Sequence, residues 1–398
     1  MMSKRNLELD KLRAFAVVMT IVVHAVRVFF PWSFHPDYVH GSSVMNIWAN
    51  SWTGVDLFFV ISGFIISKMI VEKIDELKNS PQGLAYFVKN FFLRRIYRIY
   101  PVAWIVFMFV LICAAFFNQS GQFGTFQNTI EAGISIFTYT FNYYFAYGSY
   151  KALTLSPYWS LAVEEQFYLI FPLFLIFTTS NRQRVLILLA AILMITFFIR
   201  PFSKFESLFL TQSRCDGLLY GCLVYYLSIQ AWFKQLFSRV ENNVFSSTLT
   251  LLLVLVLSSV TALGFSNNIV IPLACLVASV LVGLSAMEKN VISVYTTLNP
   301  ISDYLGSRSY SLYIIHFPMM TCTQEIMYRA SQYYHFKISS DLTVAYILLA
   351  SMLTILGAEI LYRYVEVPFI KKGRILFGAS NVNVKQDEKI LGLQGSFN

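Results

Sequence analysis

Charge is what this chain has least of. Only 13% of its 398 residues are Asp, Glu, Lys or Arg, against about 25% in an ordinary soluble domain. That scarcity excludes a water-soluble globular protein. Cysteine is present but carries no pattern. Cys113, Cys215, Cys222, Cys275 and Cys322 are scattered through apolar segments without a C-x-x-C, so neither a disulfide framework nor a zinc site is indicated. The sequence has no Gly-rich phosphate loop, no H-E-x-x-H and no G-x-S-x-G, which removes P-loop enzymes, zincins and α/β-hydrolases. No Asp-x-Asp points to a metal–nucleotide donor of the kind a glycosyltransferase uses. No internal repeat is visible, which counts against a carrier built from inverted repeats. "HPDYVH" sets His35, Asp37 and His40 close together, but nothing else supports a metal there, and no metal site is assigned.

What is present is apolar. The chain is 57% hydrophobic and 17% aromatic, with 37 Phe, 24 Tyr and a mean hydropathy of +0.59. It reads as an all-α, polytopic membrane protein. A bilayer core of about 30 Å needs roughly 20 apolar residues in helix. Windows that satisfy or approach this are 12–30, 52–71, 97–117, 158–178, 185–200, 216–229, 244–264, 269–287, 310–326 and 342–364. The stretch 130–147, "IEAGISIFTYTFNYYFAYG", is rich in Thr, Tyr and Asn. Counting it as a span would put the basic loops on opposite sides. Omitting it, with the N-terminus inside, puts 23 of the 30 Lys and Arg in inner segments, as the positive-inside rule demands. The expectation is therefore about ten spans, both termini cytoplasmic, and 130–147 re-entrant or interfacial. The net charge of +9 follows from topology and implies no nucleic-acid partner. Lys4, Arg5 and Lys11 precede the first apolar run without a small-x-small cleavage site, so it reads as an uncleaved span. The transmembrane domain occupies 1–370, and 371–398 is a short, polar, cytoplasmic tail expected to be mobile.

Ionisable groups inside spans are costly, so each is a candidate for function. Arg13 and His24 are eleven residues apart. That is about 20° past three helical turns, so they share a face about 16 Å apart along the axis. An arginine can hold phosphate, and a histidine is the usual general base near neutral pH. A ligand with an anionic head and a long neutral arm would touch both, and coenzyme A has that shape. In "FFLRRIYRIYP", Arg95 and Arg98 share a face at the same end as Arg13 and suit the same phosphates. In "SPYWSLAVEEQFYLIFP", helix rise puts Glu164 at about the depth of His24. A carboxylate there would orient the imidazole. Ser160 shares the face of Glu164, while Glu165 points away. "SRCDGLLYG" sets Arg214 and Asp216 at the outer end of a span, and Asp56 lies near the outer lip of another. Tyr313 and His316, in "SYSLYIIHFP", share a face nearer the inner side, along a donor channel. Ser62-Gly63 would let two helices approach closely. For each cluster the bland alternative is a structural hydrogen bond or ion pair, or an ordinary topology charge.

Taken together and in order, these stretches resemble the acyltransferase-3 family of integral membrane acyltransferases, from about Leu9 to Pro368. The family shares Arg or Lys, ten residues, then His (Arg13 and His24), and an Arg-x-x-Arg (Arg95 and Arg98). It also shares a Trp-Ser-Leu…Glu-Glu-Gln-Phe-Tyr block (Trp159 to Tyr168). Many members add Arg-x-Asp-Gly (Arg214 to Gly217) and Leu-Tyr-x-x-His-x-Pro (Leu312 to Pro318). The resemblance implies transfer of an acyl group, acetyl by default, from cytoplasmic acyl-CoA to a hydroxyl of an extracytoplasmic or lipid-linked glycan, such as lipopolysaccharide O-antigen or exopolysaccharide. The place would be the bacterial inner (plasma) membrane. Acyl-CoA is then a co-substrate, and no permanently bound cofactor is expected. His24 and Glu164 are the expected catalytic pair. Arg13, Arg95, Arg98, Tyr313 and His316 would meet the donor; Trp159, Ser160 and Asp216 would meet the acceptor. Some members carry a fused SGNH-type domain. None follows the last span here, so the expectation is direct acylation or a separate periplasmic transferase. The rival class, a secondary transporter, explains intramembrane His, Glu and Arg but not the clustering of arginines at one end of the His24 face.

Overall fold

The computed structural model describes residues 6–26, 51–148, 151–202, 208–238, 244–289, 291–292 and 299–378. Arg27 and the group His35, Asp37 and His40 lie outside the described residues, as does 379–398. The helices labelled here are α1 (Leu7–His24), α2 (Gly54–Leu77), α3 (Pro81–Phe116), α4 (Phe126–Phe137), α5 (Phe141–Tyr147), α6 (Tyr158–Phe177), α7 (Asn181–Met194), α8 (Asp216–Ser228), α9 (Val244–Ser259), α10 (Asn267–Ser285), α11 (Asn299–Ser307), α12 (Ser309–Tyr334), α13 (Thr343–Leu361) and α14 (Val367–Phe377). No strand occurs among the described residues. The protein is a helical bundle of the kind a membrane requires, because helices satisfy their own backbone polar groups.

Each of the ten expected windows contains helix. Among the described residues, seven helical stretches are long and apolar enough to cross a membrane. The other three windows hold α1, α8 and α12. α1 falls short on apolarity because its first turns carry Glu8, Asp10, Lys11 and Arg13, and the first three of these are buried. It is an interior helix, wrapped by α2, α11 and α12, so its polar residues meet protein rather than lipid. Asn6 starts it: the side-chain oxygen accepts the backbone N–H of Glu8 at 2.9 Å and of Leu9 at 3.2 Å, satisfying two donors that every helix start leaves free.

The stretch 130–147 is helix, break, helix. α4 ends at Phe137, Tyr139 adopts the left-handed region at φ 57°, and α5 begins at Phe141. A non-glycine residue rarely holds that backbone. Here Gln166 pins it by donating to the Tyr139 carbonyl at 2.5 Å and to the Asn142 side chain at 3.0 Å. Pieces of 12 and 7 residues rise only about 18 and 10 Å, too little to cross alone.

Close packing at the centre rests on α2 and α8. A methyl group placed on Gly63 would sit 2.0 Å from the carbonyl oxygen of Leu218, and one on Gly221 would sit 2.2 Å from that of Val60. Only glycine at both positions lets the two backbones touch, as expected of Gly63 from the sequence. The last span continues through a π turn at Tyr362–Glu366 into α14. The stretch from Lys371 onward is thus helical through Phe377, where Arg94 donates to the Phe377 carbonyl at 2.8 Å.

Candidate active site

Three clusters of polar residues stand out, and two of them include residues of α1. The first is basic. Arg13 pairs with Asp10 at 2.8 Å. Arg98 lies within electrostatic reach of Arg95, Arg13 and Glu366, so helices α1 and α3 bring together all three arginines that the sequence singled out. The Arg95 guanidinium stacks over the Tyr168 ring, 4.5 Å from its centroid, and its Nε has no hydrogen-bond partner among the described residues. A cation–π contact of this kind holds the side chain without consuming its donors. Three carboxylates face the arginines. Glu164 and Glu165 come from α6, and Glu366 from the π turn, where it accepts the Ser311 hydroxyl at 2.6 Å. Sequence reading missed Glu366, although a lone carboxylate just before Pro368 in an apolar run was a usable signal.

The second cluster surrounds His24. Its Nδ1 lies 2.8 Å from Nε2 of His316 on α12, and the two rings are nearly parallel, 14° apart. His316 Nδ1 is 2.7 Å from the Tyr313 carbonyl, and His316 is fully buried. Phe317 packs edge-on against His24, with ring centroids 5.1 Å apart. Beside them the Tyr313 hydroxyl meets the Ser160 hydroxyl at 2.6 Å.

This arrangement corrects two expectations. Glu164 was expected beside His24, but its carboxylate accepts the Tyr168 hydroxyl at 2.8 Å and sits within reach of Arg95 and Arg13. No hydrogen bond joins it to His24 among the described residues. The reason is where α6 begins. In its first turn Ser160 already meets Tyr313, beside His24, at 2.6 Å, so α6 reaches the level of His24 at Ser160 rather than at Glu164. Glu164 then falls a turn or more beyond His24, towards the arginines. Tyr313 and His316 were expected nearer the inner side, on the donor path; they lie instead at the level of His24, and Tyr313 touches Ser160.

The third cluster is a buried quartet. Arg214 pairs with Asp56 at 2.9 Å and Arg200 with Asp216 at 2.5 Å; none of the four side chains is more than 3% exposed. Asp216 was expected to line an outer acceptor cleft. It is fully buried against Arg200 and joins the ends of α7 and α8 instead. Trp159 does lie on this side, half-buried. The Arg214 guanidinium sits 5.6 Å from its ring centroid, 5.7 Å from that of Trp52 and 5.9 Å from that of Phe59.

An arginine cluster, an interior histidine pair and an aromatic, hydroxyl-bearing region beside them make up the candidate site. The chain belongs to the acyltransferase-3 family: residues 6–363 match it, under the description of an acyltransferase domain. It is 24% identical to the peptidoglycan O-acetyltransferase OatA of Listeria monocytogenes over 394 residues, covering 92% of this chain and 56% of that one. It is 27% identical to the O-acetyltransferase OatA of Staphylococcus aureus over 393 residues, covering 92% and 57%. The chain thus spans a little over half the length of these relatives. No solved structure matches it.

Proposed function

We propose that this protein transfers an acyl group, acetyl in the simplest case, from acyl-CoA to a hydroxyl of a glycan at the opposite membrane face. The observation that carries the reading is α1 itself. One continuous helix bears Arg13 in the basic cluster and His24 eleven residues on, about 16 Å further along the axis. Arg13, Arg95 and Arg98 hold the nucleotide phosphates at the face where α1 begins, the cytoplasmic one. The neutral pantetheine arm runs along α1 and brings the thioester to His24. His24 takes the proton of the acceptor hydroxyl as that oxygen attacks. Ser160 and Trp159 flank the acceptor, and Asp216 serves the framework. Glu164, with Glu165 and Glu366, balances the arginines when no phosphate is bound. The names of the relatives bring peptidoglycan into the acceptor class beside O-antigen and exopolysaccharide; whether transfer is direct or passes through a separate extracytoplasmic transferase does not alter the His24 step.

The test is transfer of label from radiolabelled acetyl-CoA to surface glycan in membranes holding wild type or His24→Ala at equal level. Alkali-labile label with wild type and none with His24→Ala is the expected result. Equal label with both removes His24 from the reaction, and no label with either removes acetyl-CoA as donor.

A further inference from the structure

We infer that His316 is a positioning residue: it holds His24 in the tautomer whose Nε2 carries the lone pair. The inference rests on the reading of His24 as the base and gives His316 a role other than contact with acyl-CoA.

The Tyr313 carbonyl can only accept, so at 2.7 Å His316 Nδ1 must carry the hydrogen. In a neutral ring, Nε2 then has none. That bare nitrogen is 2.8 Å from His24 Nδ1, which must therefore be the donor. His24 Nε2 is left with a free lone pair, the state a base needs. The opposite arrangement requires His316 to be an imidazolium that donates to His24 Nδ1, leaving a hydrogen on His24 Nε2 and no base. A buried cation is costly unless paired. His316 is fully buried, its ring neighbours are His24, Phe317 and Tyr313, and no carboxylate hydrogen-bonds either imidazole among the described residues. The chain Tyr313 carbonyl, His316, His24 does what a carboxylate does in a hydrolase triad, which is to fix tautomer and ring orientation, but without placing a charge in the bilayer.

The chemistry balances along this chain. The acceptor hydroxyl proton moves to His24 Nε2 as the hydroxyl oxygen bonds to the thioester carbonyl carbon. The C–S bond then breaks, and the departing sulfur takes the proton from Nε2. Throughout, His24 Nδ1–H donates to His316, so the contact need not break at any step.

Two measurements test this. The first is nitrogen-15 NMR of wild-type protein labelled at histidine, with His24→Gln and His316→Gln used to assign the signals. Both rings are expected as the Nδ1–H tautomer, and a hydrogen on His24 Nε2 overturns the inference. The second is kinetic. His316→Phe should lower kcat about 10²–10⁴-fold, the range of an orienting or general-base group, and leave KM for acetyl-CoA within about twofold. His316→Gln, whose side-chain oxygen reaches the Nε2 position, should recover at least about tenfold of that loss. A loss expressed in KM for acetyl-CoA returns His316 to donor binding, and a Gln variant no better than Phe also overturns the positioning role. Full activity in His24→Ala sinks the base assignment itself, an outcome separate from these; if a variant does not fold, the wild-type spectrum still decides.

Discussion

The buried quartet allows a worked prediction that also separates framework from acceptor binding. Asp216→Asn removes one charge from a pair 2.5 Å apart whose side chains are 0% and 1% exposed. The remaining Arg200 keeps the Ser213 carbonyl, at 3.0 and 3.3 Å, and a neutral amide oxygen in place of the carboxylate, and its Nη1 has no hydrogen-bond partner among the described residues even now. Breaking one side of a buried pair costs about 3–5 kcal/mol, because the other charge is stranded. Asp56→Asn strands Arg214 instead, but three aromatic faces stand within 6 Å of that guanidinium. These faces give the remaining Arg214 charge a partial counterpart that Arg200 lacks, so Asp56→Asn should cost less than Asp216→Asn. Combining Asp216→Asn with Arg200→Met, which removes both charges, should recover most of the loss. The assay is reversible unfolding of purified protein in detergent by added denaturing surfactant, with helicity as the signal. Folded Asp216→Asn should keep the wild-type KM for the acceptor. A stability loss below about 1 kcal/mol would refute the buried-pair reasoning, and a raised acceptor KM in folded protein would return Asp216 to the acceptor site.

Three other outcomes follow from the same contacts. Arg95→Gln and Arg98→Gln should each raise KM for acetyl-CoA about tenfold or more, the worth of a charge-assisted phosphate contact, when initial rates are measured across donor concentration; an unchanged KM excludes a phosphate role. Gly63→Val should block α2–α8 association, because the added atoms would lie on the Leu218 carbonyl; a sharp fall in folded protein by size-exclusion fluorescence is expected, and wild-type yield would contradict the packing. Glu325 accepts the backbone N–H of Gln119 at 2.8 Å and of Ser120 at 2.9 Å, besides pairing with Arg329. Glu325→Ala should therefore free the 117–125 connection, seen as a rise of at least about tenfold in its amide hydrogen exchange, consistent with loss of about 1.5–3 kcal/mol.

Helix positions were readable from sequence because long apolar runs and basic loops obey strong constraints, and the Arg13–His24 alignment needed only helical period. The close approach at Gly63 was also readable, though not its partner Gly221. Depth was less secure. Glu164 was placed by counting from the expected rim, whereas Ser160, one turn earlier, is the residue of α6 that meets the His24 level. Nothing local announces that, since it depends on which residue of α12 faces Ser160. Pairing across helices was hidden for the same reason. Arg214 finds Asp56, not its neighbour Asp216, and His24 finds His316, 292 positions away. The sequence supplied these residues as candidates, and only packing assigns their partners.

The central claim is that one interior histidine joins a donor held at one membrane face to an acceptor at the other. Proteoliposomes of known orientation, with acetyl-CoA and a soluble glycan acceptor each confined to a chosen side, test it most directly. Ester formation is expected only with acetyl-CoA at the face where α1 begins and glycan at the opposite face, and none with His24→Ala. Ester formed with both substrates on one side, or with donor at the opposite face, would contradict it.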